Sequence, residues 1–292
     1  MSSALRVVRS LVSVIVLGAP ALLQAQVSLT DDVGRPIRVA KPAERVVALE
    51  PFLTELVFAV GAGERLVGIS SESRYPFETF RIAKVRDASA FIGRAASLKP
   101  DLVLAWADSI EPEQVERITA AGMTVFVADA PRLADVPRLL RIIGALTGQN
   151  GNMAALDFEQ GLERLQQSNI GKPKVGAMVE VRHKPLITVS ARHFLSDALQ
   201  ICRAENVFAT QVAAMPEVYL EQVMRRAPHV IIGFGSASSA EEFKTSWSVR
   251  QELEAVRAGR LLFLQSDVIK QPTTRSLEQV AQLCERLDSV RP

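Results

Sequence analysis

The sequence predicts an α/β fold of two Rossmann-like lobes, each built on a parallel-rich sheet, joined by a long rigid helix with a cleft between the lobes. Three observations predict it. Arg45 to Trp106 alternates apolar strand-like runs with a helix-like segment, and the second half of the chain repeats that order. Between the halves runs an amphipathic stretch, Met153 to Gln167, bounded by Gly148-Gln149-Asn150-Gly151-Asn152 and by Gly171-Lys172-Pro173. Apolar strands alternating with helices specify parallel sheets, because a parallel pair needs a crossover helix.

Residues 1–25 read as an export signal. Arg6 and Arg9 supply a basic start, Leu11 to Leu23 is apolar but broken by Gly18 and Pro20, and Ala25 offers a small residue for cleavage. That apolar stretch is short for a membrane span. No cysteine lies nearby to take a lipid. The expected product is soluble and exported.

Residues 26–147 form the expected first lobe. Val27 to Lys41 suggests a hairpin turning at Asp32-Val33-Gly34-Arg35-Pro36. Val46 to Leu49 is a strand, Glu50-Pro51 a turn, Thr54 to Val60 a helix and Leu66 to Ile69 a second strand. Asp87 to Leu98 reads as loop and short helix, and Pro100-Asp101-Leu102-Val103-Leu104 enters a buried strand that ends at Trp106. Glu111 to Ala121 has Val115, Ile118 and Ala121 on one face, with Gly122 placed to end it. Thr124 to Val127 is the next strand and Leu133 to Leu146 an amphipathic helix.

Residues 148–171 carry the connecting helix, although the same pattern would suit the last helix of the first lobe. Residues 172–292 form the second lobe. Val175 to Val181 matches Val46 to Leu49, and Phe194 to Ile201 matches the first helix. Ala227-Pro228-His229-Val230 echoes Lys99-Pro100-Asp101-Leu102, and Leu262 to Leu264 matches Val125 to Val127. Trp247 is expected to pack at the start of a helix running toward Leu253. Leu277 to Leu287 closes the chain. In two such lobes a ligand is held where strand-end loops face each other.

Bulk properties narrow the function. The formal charge is +2 with no long basic run, which argues against nucleic acid or an anionic membrane surface as partner. His183, His193 and His229 fit no zinc spacing, so no metal site is expected. Neither a Gly-x-Ser-x-Gly elbow, a His-Glu-x-x-His motif nor a phosphate loop is present. His193 with Glu50 is the one acid–base pair a chelatase-like enzyme could use. The two cysteines, Cys202 and Cys284, are either a disulfide of an exported protein or two separately buried thiols.

The order and spacing of several stretches resemble the periplasmic substrate-binding proteins of ABC importers. These are Arg45 to Ile69 with Thr54-Glu55-Leu56, Ser70 to Pro76, Leu98 to Trp106, Gln114 to Val127, Cys202 to Phe208 and Ser266 to Cys284. The similarity is to the group with helix-joined lobes that carries vitamin B12, haem or iron-siderophores, and within it to the B12-carrying members. The resemblance implies a non-enzymatic binding protein without a cofactor, expected to be a monomer. It would hold a small-molecule metal chelate, first a corrinoid and otherwise haem or a siderophore, and deliver it to an inner-membrane permease. It places Cys202 and Cys284 at a disulfide. Ligand contacts fall on the Glu50-Pro51-Phe52 loop, Tyr75, Trp106, Met215 and Arg275, and permease contacts on Glu221 and on Glu111 and Glu113. The chain departs from the pattern where Met215 replaces a tryptophan and Val268-Ile269 replaces a Trp-Phe pair. The loop before Lys99 is one residue shorter, with Ala88, Ala90 and Phe91.

Overall fold

The computed structural model describes residues 27–265 and 272–292. The export signal and Val268-Ile269 lie outside the described residues. An antiparallel hairpin opens the fold, β1 (Val27–Thr30) with β2 (Pro36–Val39). Its turn is held by Asp31, whose carboxylate accepts the Arg35 backbone N–H at 2.7 Å and pairs with the Arg35 guanidinium at 2.6 Å. The same arginine reaches the carbonyl of Val125 at 3.0 Å, docking the hairpin on the first sheet.

That sheet contains β3 (Val46–Ala48), β4 (Leu66–Ser70), β5 (Lys84–Val85), β6 (Leu102–Trp106) and β7 (Thr124–Ala128), in the order β5-β4-β3-β6-β7. Each neighbouring pair is parallel. The second sheet contains β8 (Val175–Glu180), β9 (Ala204–Asn206), β10 (Val230–Gly235) and β11 (Leu261–Gln265), in the order β9-β8-β10-β11, again all parallel. Setting β3 against β8, β4 against β9, β6 against β10 and β7 against β11 makes the two orders the same, except that β5 extends the first sheet by one edge strand. The repeat visible in sequence is thus a repeat of topology. Even the strand entries agree: Lys99 and Ala227 both take φ of +43° immediately before the prolines leading into β6 and β10.

In each sheet the strand order reverses beside its first strand, between β3 and β6 and between β8 and β10. Chain leaving the carboxyl ends of those strands diverges to either side and opens a crevice. The helices that frame it are α1 (Pro51–Ala59), α2 (Ala88–Leu98), α3 (Pro112–Ala120) and α4 (Asp135–Thr147) around the first sheet. The second is framed by α6 (Phe194–Ile201), α7 (Leu220–Arg226), α8 (Ala237–Ser248), α9 (Glu254–Arg257) and α10 (Ser276–Asp288).

Between the sheets the chain runs through α5 (Asn152–Asn169). It buries Ala155, Phe158 and Leu162 within one aliphatic core that draws on α1, α4, α6 and α10. Burying Phe158 and Leu162 contributes roughly 2 kcal/mol each. The elbow into α5 is tight because two glycines meet there. A Cβ on Gly151 would lie 2.1 Å from the Leu140 carbonyl oxygen, and one on Gly144 would lie 2.6 Å from the Gly151 nitrogen.

Two expectations change. The first helix begins at Pro51, three residues earlier than Thr54, because proline at the first helical position has its φ set already and needs no N–H there. Trp247 lies near the end of α8, not at the start of a later helix. Its ring is buried and its Nε1 donates to Glu180 at 2.5 Å, which satisfies both groups inside the second lobe. Cys202 and Cys284 form a disulfide joining the end of α6 to α10. Among the described residues no helix is long and apolar enough to cross a membrane.

Candidate functional site

Strand-end loops from both sheets enclose a cavity of about 310 Å³. From the first lobe come Glu50 and Phe52 at the start of α1, Trp106 at the end of β6, Asp108 and Ser109 just beyond it, and Asp129, Ala130 and Pro131 after β7. From the second come Val181 after β8, Arg192 to Leu195 at the start of α6, Met215 and Pro272. Its walls are mainly apolar. Phe52 is buried and sets its ring edge-on to Trp106, with centroids 4.8 Å apart and planes at 85°, a preferred aromatic geometry.

The polar groups are concentrated on the first lobe. Ser109 Oγ donates to Glu50 at 2.5 Å. Burial raises the Glu50 pKa above the usual carboxylate range, the serine hydrogen bond opposes this, and Glu72 adds to it. Asp129 is raised too, first by burial and then by the neighbouring charges of Asp108, Asp32 and Asp135, with Arg138 acting against them. On the other lobe His193 caps α6, its Nδ1 accepting the Leu195 N–H at 3.1 Å. Burial depresses its pKa to about 4, against a pull upward from Asp108. The imidazole is therefore neutral at pH 7, with its proton on Nε2.

Tyr75, Pro51 and Arg275 do not line this cavity. Pro51 is buried as the first residue of α1. Tyr75 sits half-exposed in the loop after β4. That loop is tied to α1 by a 3.0 Å hydrogen bond between the buried hydroxyls of Ser73 and Thr54. Arg275, three residues beyond Pro272, holds its guanidinium 4.0 Å over the Tyr75 ring. The same guanidinium grips the buried carboxylate of Glu55 with two hydrogen bonds, Nε to Oε2 at 2.9 Å and Nη2 to Oε1. This cluster joins the lobes beside the cavity.

Glu111 caps α3 and Glu113 stands in its first turn, while Glu221 stands in the first turn of α7. All three are exposed. A helix that connects parallel strands runs against them, so both helix starts open on the edge where the strands end. The three glutamates thus share the cleft-bearing side of their sheets. His183 and His229 hold bonds within the second lobe, to Glu180 at 3.2 Å and to the Val290 carbonyl at 2.7 Å. Among the described residues no group of three or more His, Cys, Asp or Glu is placed to hold a metal ion.

Asp108, Ser109, Asp129, Val181, Arg192, Phe194, Leu195 and Pro272 line the cavity without having been picked out in the sequence. The usable signal was position: Asp108, Asp129 and Val181 lie within two residues of a strand's carboxyl end.

Comparison with known proteins agrees with this geometry. Residues 46–268 match the family model described as periplasmic binding protein. This chain belongs to the periplasmic binding protein family. Membership makes it a substrate-binding transport protein, not an enzyme, and removes the chelatase alternative for His193 and Glu50. The family serves importers that take a small-molecule ligand and pass it to a membrane permease. The vitamin B12-binding protein of Vibrio parahaemolyticus is 32% identical over 86% of this chain and 92% of its own length. That of Pectobacterium carotovorum is 30% identical over 85% of this chain and 90% of its own. The crystal structure of the periplasmic vitamin B12 binding protein BtuF of Vibrio cholerae superposes with a TM-score of 0.79 at 28% identity, covering 85% of this periplasmic binding protein and 98% of that one.

Proposed function

We propose that this periplasmic binding protein captures a corrinoid in the cleft and delivers it to an inner-membrane ABC permease. One observation carries the reading. Aromatic and aliphatic walls from two sheets, Phe52 and Trp106 with Phe194, Leu195 and Met215, converge on one cavity, in a chain whose relatives are named for binding vitamin B12. A flat macrocycle buries its faces against such walls. At about 310 Å³ the cavity is at the small end of ligand pockets, so a corrinoid fills it and extends past the rim toward Tyr75 and Arg275. The loop from Glu50 through Pro51 shapes that rim.

In this reading residues 1–25 direct export to the periplasm, and the protein works there as a monomer. Glu111 and Glu113 on one lobe and Glu221 on the other meet basic groups of the permease; rim charges of this kind set docking register and association rate. The lobes close only slightly on the ligand, because a helix and an ion pair join them where a mobile hinge would need loop residues.

The test is a thermal-denaturation panel. Cyanocobalamin at one hundred times its Kd adds about 2.7 kcal/mol by mass action, a rise in Tm of roughly 5–10 °C for a chain of this size. Hemin and a ferric hydroxamate siderophore leave Tm unchanged. A shift with hemin alone contradicts the corrinoid reading. Replacing Glu111, Glu113 and Glu221 with alanine keeps the cyanocobalamin shift and lowers permease-dependent uptake; loss of the shift instead would make those glutamates part of the cleft.

A further inference from the structure

The charged groups of the cavity divide unequally. Among the described residues that line it, Glu50, Asp108 and Asp129 stand on the first lobe, against Arg192 on the second. His193 adds no charge at neutral pH. Arg192 is also partly engaged elsewhere, donating through Nη1 to the Val212 carbonyl at 3.2 Å. The carboxylates of Asp108 and Asp129 accept no hydrogen bond from any described residue, whereas Glu50 accepts one from Ser109. Asp129 uses its backbone instead: its N–H donates to Asp32 at 2.8 Å and its carbonyl accepts from Arg138 at 2.8 Å. Arg138 is itself paired with Asp32. Among the described residues, the cleft therefore offers two carboxylates with open acceptor sites, faced from the second lobe by Arg192, which also holds the Val212 carbonyl.

We propose that Asp108 and Asp129 are the specificity determinants of the cleft, accepting a macrocycle fringed with carboxamides and rejecting one fringed with carboxylates. The inference rests on the corrinoid reading and narrows it. Corrin and porphyrin rings are both flat and apolar, so Phe52 and Trp106 distinguish them poorly. Their edges differ. Natural corrinoids carry primary amides, whose N–H groups donate to carboxylates as charge-assisted hydrogen bonds. Haem carries two propionates, which would face Asp108 and Asp129 as like charges. Asp108 and the partly desolvated Asp129 both reach solvent on the cleft wall, where water screens them until a ligand is seated. A seated ligand expels that water, and the repulsion strengthens as the local dielectric falls. Like charges brought together across an interface act mainly to exclude the wrong partner.

A pair of corrinoids that share one ring isolates the effect. Dicyanocobinamide presents amides, and dicyanocobyrinic acid presents carboxylates at the same periphery. Affinities of both are measured by tryptophan fluorescence quenching for the wild-type protein and for the Asp108→Asn/Asp129→Asn variant. Asparagine preserves shape, and the sites are exposed, so the variant melts like wild type. The acid is expected to bind wild type about a hundredfold more weakly than cobinamide, a gap of the size that two like-charge contacts still largely screened by water produce. In the variant the gap shrinks at least tenfold, chiefly through tighter binding of the acid, and in wild type it narrows with added salt. Equal affinities in wild type, or a gap that survives both substitutions, overturns the proposal while the corrinoid reading stands. If wild type binds neither compound, the corrinoid reading itself fails and takes the proposal with it.

Discussion

Replacing Arg275 with alanine is expected to lower the Tm of the ligand-free protein by roughly 6–12 °C, the equivalent of about 3 kcal/mol. Glu55 lies on α1 with only 7% of its surface exposed, and among the described residues its carboxylate takes its hydrogen bonds from Arg275. Removing the arginine strands a buried charge, which costs more than the pair contributes. Arg275 keeps 33% of its side chain in solvent, so water reaches part of the gap and the loss sits at the lower end of the range for buried pairs. The substitution also uncovers the Tyr75 ring. The double variant Glu55→Leu/Arg275→Leu removes both charges together and is expected to recover more than half of the lost stability. Thermal melts of the two single variants and the pair measure this directly. Additive losses would mean that the two residues do not act as a pair.

Breaking the disulfide has an effect of similar size. The bridge from Cys202 to Cys284 spans 82 residues, and the chain-entropy model gives about 4 kcal/mol as an upper figure for a loop of that length. The Cys202→Ala/Cys284→Ala variant should therefore melt roughly 8–16 °C below wild type. Dithiothreitol should lower wild type toward the same value and leave the variant unmoved. The bridge bears on the cleft as well as on stability. It fixes the end of α6, whose start supplies His193, Phe194 and Leu195 to the cavity, to α10, whose first turn follows Arg275. A reductant that moves the variant as much as wild type would contradict this assignment.

How far the fold was legible in sequence follows from what periodicity and punctuation can encode. Lys99-Pro100-Asp101 and Ala227-Pro228-His229 announced the repeat because a proline before an apolar run marks a strand entry, and the structure gives Lys99 and Ala227 the same positive φ. The α8 helix was missed for a physical reason. It opens with Ser236-Ala237-Ser238-Ser239, which resembles a loop, and it turns only Phe243 and Trp247 inward. Two residues four apart are too short a stripe to identify a helix.

At the site, Trp106 stood out because it is an aromatic residue at the exit of an apolar strand, and Phe52 came into view only through the family resemblance. Asp108 and Asp129 did not, since a single aspartate in a loop has no period; only the parallel sheet brings the two loops together. The partner of Arg275 was out of reach altogether. Glu55 lies 220 residues away, and nothing in local spacing records a pairing at that distance.

Isothermal titration of cyanocobalamin into the wild-type protein and the Trp106→Ala variant shows most directly whether a corrinoid sits in the cleft. Wild type is expected to bind at one site per chain. The variant is expected to bind roughly thirtyfold more weakly, the loss of about 2 kcal/mol that an aromatic wall contributes to a bound ring. Absence of heat with wild type, or equal affinity in the two proteins, would contradict a corrinoid seated in the cleft between the sheets.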